Sequence, residues 1–80
     1  MRYYFVNFSF IGGTSKQYLI KTEDVDYNVV EFRVFRSNVK AGWFGVDNDY
    51  ISLSNVTRVN WEQININDYD YEEADFHYLG

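Results

Sequence analysis

The first eleven residues of the chain most constrain its fold, because apolar and polar positions alternate there along a run of strand-forming residues. One parity carries a large apolar side chain at each position, namely Tyr4, Val6, Phe8 and Phe10. The other parity is partly apolar, with Tyr3, Phe5 and Ile11. Period-two alternation predicts a β-strand, and two partly apolar faces predict that this strand is central in its sheet or strongly curved.

The residues that follow predict a hairpin and then a series of short strands. Gly12-Gly13 supplies two residues that tolerate the positive φ angles of a tight turn, so residues 2–22 form a predicted β-hairpin. A bulge or short helical turn is expected near residues 54–57, where it changes the register of the last strand. The predicted strands after the first lie at residues 17–22, 27–36, 43–46, 50–53 and 56–66.

The length of the chain limits it to one modest core. Eighty residues bury about 60–65% of the surface that the unfolded chain exposes. No cysteine is present, so neither a disulfide nor a cysteine-bound metal stabilises the fold. Short strands joined by Gly, Asn and Asp turns are typical of a small, curved, antiparallel sheet or barrel.

Two segments resemble the later strands of an SH3-like barrel. They are Gly42-Trp43-Phe44-Gly45-Val46 and Tyr50-Ile51-Ser52-Leu53-Ser54-Asn55-Val56, a tryptophan-bearing strand followed, after a turn, by a strand and a Ser-Asn pair. The resemblance implies architecture only, since Leu53 stands where the family usually has proline before that pair. The predicted fold class is therefore mainly β: a small curved antiparallel sheet or an SH3-like barrel of about five strands, with an acidic C-terminal segment.

The chain divides by composition into a β domain at residues 1–66 and an acidic, tyrosine-rich segment at residues 67–80. On a strand, the carboxylates at alternate positions from Asp68 to Glu72 form one acidic stripe. On a short helix beginning near Asp70, tyrosines share a face instead. The sequence leaves these alternatives open.

Negative charge is concentrated in the second half of the chain. The net charge is −5, and residues 41–80 hold eight acidic residues against one basic residue. This balance gives no general attraction to nucleic acid or anionic lipid, so tight direct binding to nucleic acid is not expected. It suits a basic protein surface, such as the nucleic-acid channel of a nuclease or of another defence protein. Negative charge that only keeps the protein soluble is the alternative.

No targeting or membrane segment is predicted. Residues 1–8 lack a continuous apolar signal-peptide core, and no apolar stretch approaches the roughly 18–20 residues of a spanning helix. We therefore expect a cytoplasmic protein that does not engage membranes, acting in the host cytoplasm if a phage encodes it.

Few residues have the chemistry of catalysis or metal binding. His77 is the one histidine, and no nucleophile motif accompanies it. Asp47-Asn48-Asp49 lacks the glycine and distal glutamate of a calcium loop and predicts a turn. Asp68, Asp70 and Glu72 would gather a hard cation only if they lie on a strand, and three carboxylates are more often solvated. We therefore expect no enzyme activity, no cofactor and no metal site.

The acidic segment is the predicted partner-binding site. Exposed tyrosines bury much area at limited entropic cost, and carboxylates beside them imitate the charge and stacking of a nucleic-acid strand. In size, charge and composition the chain looks like the small acidic inhibitors of phages and mobile elements, including anti-CRISPR proteins. The predicted partner-binding residues are Asp68, Tyr69, Asp70, Tyr71, Glu72, Glu73, Asp75 and Tyr78.

Two functions of other classes remain open at this stage. The chain is alternatively a homo-oligomeric β-module that binds a small molecule or nucleotide between subunits. It is alternatively a structural phage subunit whose exposed strand edges and tyrosines are buried by assembly.

Overall fold

The computed structural model describes residues 1–23 and 39–79, and these form a mainly β fold of two sheets, which confirms the predicted fold class. The predicted strand at residues 27–36 lies outside the described residues. The strands are β1 (Arg2–Phe10), β2 (Ser15–Thr22), β3 (Val39–Lys40), β4 (Trp43–Val46), β5 (Asp49–Ser52), β6 (Val56–Ile64) and β7 (His77–Tyr78).

The larger sheet has the strand order β6-β1-β2-β7, so β1 is central, as its two apolar faces predict. β1 and β2 form the predicted antiparallel hairpin, and Gly12 and Gly13 adopt φ angles of 97° and 92° in its turn. β6 is antiparallel to β1 on the other side. β7 runs parallel to β2, so the sheet is mixed rather than wholly antiparallel.

The smaller sheet has the order β3-β4-β5. Residues 47–48 of the predicted turn at 47–49 join β4 to β5, and Asp47 has a φ of 55° there. Tyr50 lies opposite Gly45 in the ladder between β4 and β5. Its ring lies over Gly45 and fills the space that a Cβ atom at residue 45 would need. Tyr50 therefore depends on a glycine at this position.

A short 3-10 turn at Leu53–Asn55 connects the smaller sheet to β6, as expected from the sequence. The ladder between β1 and β6 shifts register between Ser9 and Phe10, next to this turn. β6 ends at Ile64 rather than at residue 66, because a second 3-10 turn begins at Ile66.

Alternation along β1 sends its side chains to two hydrophobic clusters, one on each face of the larger sheet. We call the face of Tyr4, Val6 and Phe8 the inner face, where the smaller sheet contributes Phe44 and Val46 to the cluster. We call the opposite face the outer face, where Phe5 packs with Ile64 and Phe76.

Within residues 1–23 and 39–79, no helix has the length and apolar character that crossing a bilayer requires.

Candidate functional site

The outer face of the larger sheet carries the predicted partner-binding segment. Register places Tyr3 and Phe5 of β1 on this face, and Leu19 lies opposite Phe5 on β2. Residues 66–76 lie against it and contribute Ile66 and Phe76 to its cluster. The apolar odd positions of β1 thus mark the surface that this segment covers.

Two tyrosines of the segment lie together on Phe5. The rings of Tyr69 and Tyr71 are stacked, with centroids 6.4 Å apart and planes at 29°. Each meets Phe5 edge to face, at centroid distances of 5.0 Å for Tyr69 and 6.1 Å for Tyr71. Both remain about two-fifths exposed, at 41% and 40%. The pair is therefore supported from beneath while part of each ring faces solvent.

Phe76 anchors the segment from its other end. Its side chain is only 4% exposed, and its ring meets Tyr71 at 5.9 Å and Tyr3 at 5.1 Å, both edge to face. Edge-to-face pairs at such distances stabilise beyond the area they bury. One continuous set of aromatic contacts therefore joins β1 to the segment.

Residues 68–72 do not form the strand that carries an acidic stripe, and no α-helix begins near Asp70, so neither alternative that the sequence leaves open is formed. It contains two 3-10 turns, at Ile66–Asp68 and Glu73–Asp75. The Asn65 side chain accepts a hydrogen bond from the Asn67 N–H at 3.0 Å before the first turn. Asp75 accepts from the Glu72 N–H at 2.8 Å in a capping box at the second. Side chains that bond to the local backbone favour such short turns over regular structure.

The carboxylates of the segment have different roles. Lys21 donates to the Glu73 backbone carbonyl at 3.1 Å, and its Nζ lies 3.9 Å from the Glu73 carboxylate. Asp75 is engaged in the capping box described above. Asp68 and Asp70 are exposed, and in the described part of the chain no hydrogen bond or ion pair engages the side-chain carboxylate of either. In sequence these two alternate with the stacked tyrosines, and their carboxylates are open to a partner.

Tyr78 lies on the same face but apart from the stacked pair. Register places it beside Lys21, which is itself opposite Tyr3. Its hydroxyl donates to Glu23 at 2.9 Å. That hydrogen bond, with smaller contributions from burial and from the negative charge of Glu23, raises the pKa of Tyr78. We name the outer surface of residues 68–78 the acidic tyrosine surface.

Polar contacts that were not predicted from the sequence join the larger sheet to the smaller sheet. His77, on the inner parity of β7, contacts the carboxylate of Asp47 in the β4–β5 turn. Lys16 pairs with Asp49 at 2.6 Å, and the Tyr18 hydroxyl lies 3.3 Å from the same carboxylate. Burial, with the nearby Asp49 carboxylate, raises the pKa of Tyr18 well above its usual value. The residues in each contact are far apart in sequence, so no local sequence pattern predicts these contacts.

The structure does not provide the geometry that metal binding by the segment requires. Residues 69–72 are not a strand, so the carboxylates of Asp68, Asp70 and Glu72 do not form the alternate-residue stripe. In residues 1–23 and 39–79, no three His, Asp or Glu side chains come close enough to hold a metal ion.

An open cleft of about 390 Å³ borders the acidic tyrosine surface where β1 begins and β6 ends. Amide side chains make up much of its polar lining. The lining residues are Met1, Arg2, Tyr3, Gln63, Ile64, Asn65, Ile66 and Asn67. The cleft therefore offers hydrogen-bonding groups beside a carboxylate-rich surface.

No protein-family model, curated protein or solved structure matches this chain. The functional argument therefore rests on the geometry and charge of the surface.

Proposed function

We propose that this protein is a non-enzymatic protein-binding inhibitor that covers a basic nucleic-acid-binding surface of another protein. In this proposal it acts as an anti-defence protein of a phage, similar to anti-CRISPR proteins, and imitates the charge of a nucleic acid. The observation that carries the proposal is the stacked pair of Tyr69 and Tyr71, supported by Phe5 and exposed beside the carboxylates of Asp68 and Asp70.

The packing of these rings favours binding. A tyrosine held by edge-to-face contacts loses less conformational entropy when a partner covers it than a mobile side chain does. Tyr69 and Tyr71 already have such contacts through Phe5, and Tyr71 has another through Phe76. The exposed part of each ring is therefore a pre-organised contact for a partner.

The charges favour arginine as the partner's contact residue. A guanidinium group is planar, stacks on aromatic faces and donates two parallel hydrogen bonds to a carboxylate. Tyrosines and carboxylates alternate at residues 68–71, so both kinds of contact are offered within one short stretch. Nucleic-acid-binding channels are rich in arginine because the same group binds phosphate.

The test is an inhibition assay on a guide-RNA-loaded nuclease of a CRISPR system, with cleavage of target DNA as the measurement. We expect excess protein to reduce cleavage and its affinity for the nuclease to fall as salt rises. Tyr69→Ala and Tyr71→Ala should mainly accelerate dissociation, because they remove contact area. The protein alone should not shift single-stranded DNA in an electrophoretic assay at physiological salt.

A matched pair of charge variants locates the contact. Asp70→Asn and Glu73→Gln each remove one negative charge, but the Glu73 carboxylate faces Lys21 within the protein. We expect Asp70→Asn to slow association with the nuclease more than Glu73→Gln does. Equal effects of the two variants, or undiminished inhibition by the tyrosine variants, would contradict the proposed surface.

A further inference from the structure

The nine-residue strand β6 is the last strand of the larger sheet on one side, with β1 as its only neighbour among the described residues. Its middle positions face solvent on both sides of the sheet. Arg58, Asn60 and Glu62 are exposed on the outer face, and Val59 is 38% exposed on the inner face. A long edge strand of this kind presents backbone N–H and C=O groups to a further strand.

The two edges of this sheet differ in protection. On the β2 side, β7 adds a parallel strand, and the Leu79 N–H donates to the Lys21 carbonyl at 3.0 Å. On the β6 side, the register shift falls next to Phe10, so the ladder from Ser9 to Tyr3 is regular. No proline interrupts β6. Among residues 1–23 and 39–79, no strand, proline or bulge therefore protects this edge from Arg58 to Ile64, and its two exposed charges, Arg58 and Glu62, are opposite in sign.

We propose that a second copy of this chain pairs with β6, so that two larger sheets join into one continuous antiparallel sheet. A two-fold axis perpendicular to the sheet is the symmetry that keeps both inner faces on the same side. Such an axis passes midway between the two copies of one β6 residue and pairs positions at equal distances on either side of that residue. The register is thus decided by the choice of that one residue.

The sequence of β6 is self-complementary about Asn60. With the axis there, Arg58 lies opposite Glu62 of the second copy, and symmetry forms this ion pair twice. Val59 lies opposite Trp61, which joins two apolar side chains on the inner face. Opposite charges and aromatic–β-branched pairs directly across a ladder are stabilising.

The neighbouring registers lose this complementarity. An axis at Val59 places Arg58 opposite Asn60, and an axis at Trp61 places Arg58 opposite Ile64. Neither forms an ion pair between directly opposed residues. Charge complementarity thus selects a second copy as the occupant of this edge and fixes its register at Asn60.

Charge-swap variants of the full chain test the pairing by sedimentation equilibrium over the micromolar to millimolar range. The wild type should approach twice the mass of one chain as its concentration rises. Arg58→Glu and Glu62→Arg should each raise the dissociation constant by about tenfold or more, because both symmetry-related pairs become repulsive. The double variant Arg58→Glu/Glu62→Arg should restore most of the affinity.

Two controls keep this result specific. Lys40→Glu makes the same charge change in β3 and should leave the dissociation constant unchanged, and circular dichroism should show a β spectrum for every variant. A wild type that stays monomeric to millimolar concentration overturns the proposal. A dimer that tolerates Arg58→Glu overturns it as well.

Cysteine cross-linking tests the register independently, because the native chain contains no cysteine. Asn60→Cys should form an intermolecular disulfide under a copper–phenanthroline oxidant, since directly opposed Cα atoms lie about 4.5–5.5 Å apart. Gln63→Cys should not, because the two copies of that position lie roughly 20 Å apart along the strands. Equal cross-linking at both positions would overturn the register about Asn60.

Discussion

The inner and outer faces of the larger sheet use the same strand in different ways. On the inner face, Tyr4, Val6 and Phe8 are fully buried, and the smaller sheet contributes Phe44 to their cluster. On the outer face, Phe5 is buried under residues 66–76, which contain two 3-10 turns and no strand. One face is therefore closed by a sheet and the other mainly by 3-10 turns and loops.

Because of this difference, substitutions on the inner face mainly affect stability, and substitutions on the outer face mainly affect surface chemistry. A regular sheet over the inner face leaves little room for substitution, because each side chain there meets others on all sides. The irregular cover of the outer face keeps Phe76 buried while Tyr69 and Tyr71 stay partly exposed. Substitutions in the outer layer can therefore change what the surface binds at moderate cost in stability.

The largest expected effect is on the inner face. Phe8→Ala should lower the free energy of unfolding by about 3–5 kcal/mol, because it removes contacts with Tyr18 and Phe44 at the centre of the cluster. Urea denaturation followed by circular dichroism measures this change. Phe8→Leu is the milder control and should fold with a smaller loss. An unchanged midpoint for Phe8→Ala would remove the distinction between the faces.

The equivalent truncation on the outer face should cost less. Phe76→Ala should lower the free energy of unfolding by about 2–3 kcal/mol, since the partly exposed rings of Tyr3 and Tyr71 can move into the space left behind. The same denaturation experiment applies, with tyrosine side-chain resonances by NMR reporting on Tyr69 and Tyr71. A loss as large as that of Phe8→Ala would show that the outer cluster is equally important for stability.

Alkaline pH sharpens the comparison through two tyrosines. Burial on the inner face raises the pKa of Tyr18, whereas the pKa of exposed Tyr78 is raised chiefly by its hydrogen bond to Glu23. Above pH about 10 the unfolded chain loses the tyrosine proton that the folded state retains, so stability falls as pH rises. For one tyrosine proton that only the folded state retains, the free energy of unfolding falls by up to about 1.4 kcal/mol per pH unit.

Tyr18→Phe should therefore flatten the decline in unfolding free energy above pH 10, and Tyr78→Phe should change it much less. Denaturation curves for both variants and the wild type at a series of pH values from 8 upward provide the measurement. A steeper decline for Tyr18→Phe than for the wild type would contradict burial as the dominant cause.

The smallest effect on stability is expected for the contacts between Lys21 of β2 and Glu73 of the acidic tyrosine surface. Lys21→Met keeps the apolar stem but removes the hydrogen bond to the Glu73 carbonyl, at a cost of about 0.5–1.5 kcal/mol. Glu73→Gln keeps that carbonyl and should cost less than Lys21→Met, since the ion pair is long and partly exposed. A larger loss of stability in Glu73→Gln than in Lys21→Met, measured by thermal denaturation, would show that Lys21 acts through the Glu73 carboxylate rather than through the backbone carbonyl.

Local patterns in the sequence predicted the parts of the fold that local physics determines. Alternation in β1 indicated a central strand, Gly12-Gly13 indicated the hairpin, and residues 54–57 indicated a short turn before β6. The parallel pairing of β7 with β2 was not predicted, because it depends on the return path of the chain. The contact between His77 and Asp47 was missed for the same reason.

The candidate site divides in the same way. The eight residues from Asp68 to Tyr78 were selected by charge and aromatic content, and their role in binding stays a prediction. Phe5 and Phe76, which support the stacked tyrosines, were not selected. The apolar odd parity of β1 contained the signal for Phe5, but only the folded register shows that the acidic segment covers it.

The strand pairings of the larger sheet differ in the sequence separation of their partners, and this difference sets the order of folding events. The β1–β2 hairpin closes over a few residues, whereas pairing Tyr3 with Ile64 and Ile20 with His77 requires closure of loops that span most of the chain. Long-range pairings incur their loop entropy before their contacts form, so they slow folding and follow local hairpins. The contacts of Tyr69 and Tyr71 with Phe5 complete only when these distant segments dock, and their ring signals in time-resolved measurements would mark the end of folding rather than its beginning.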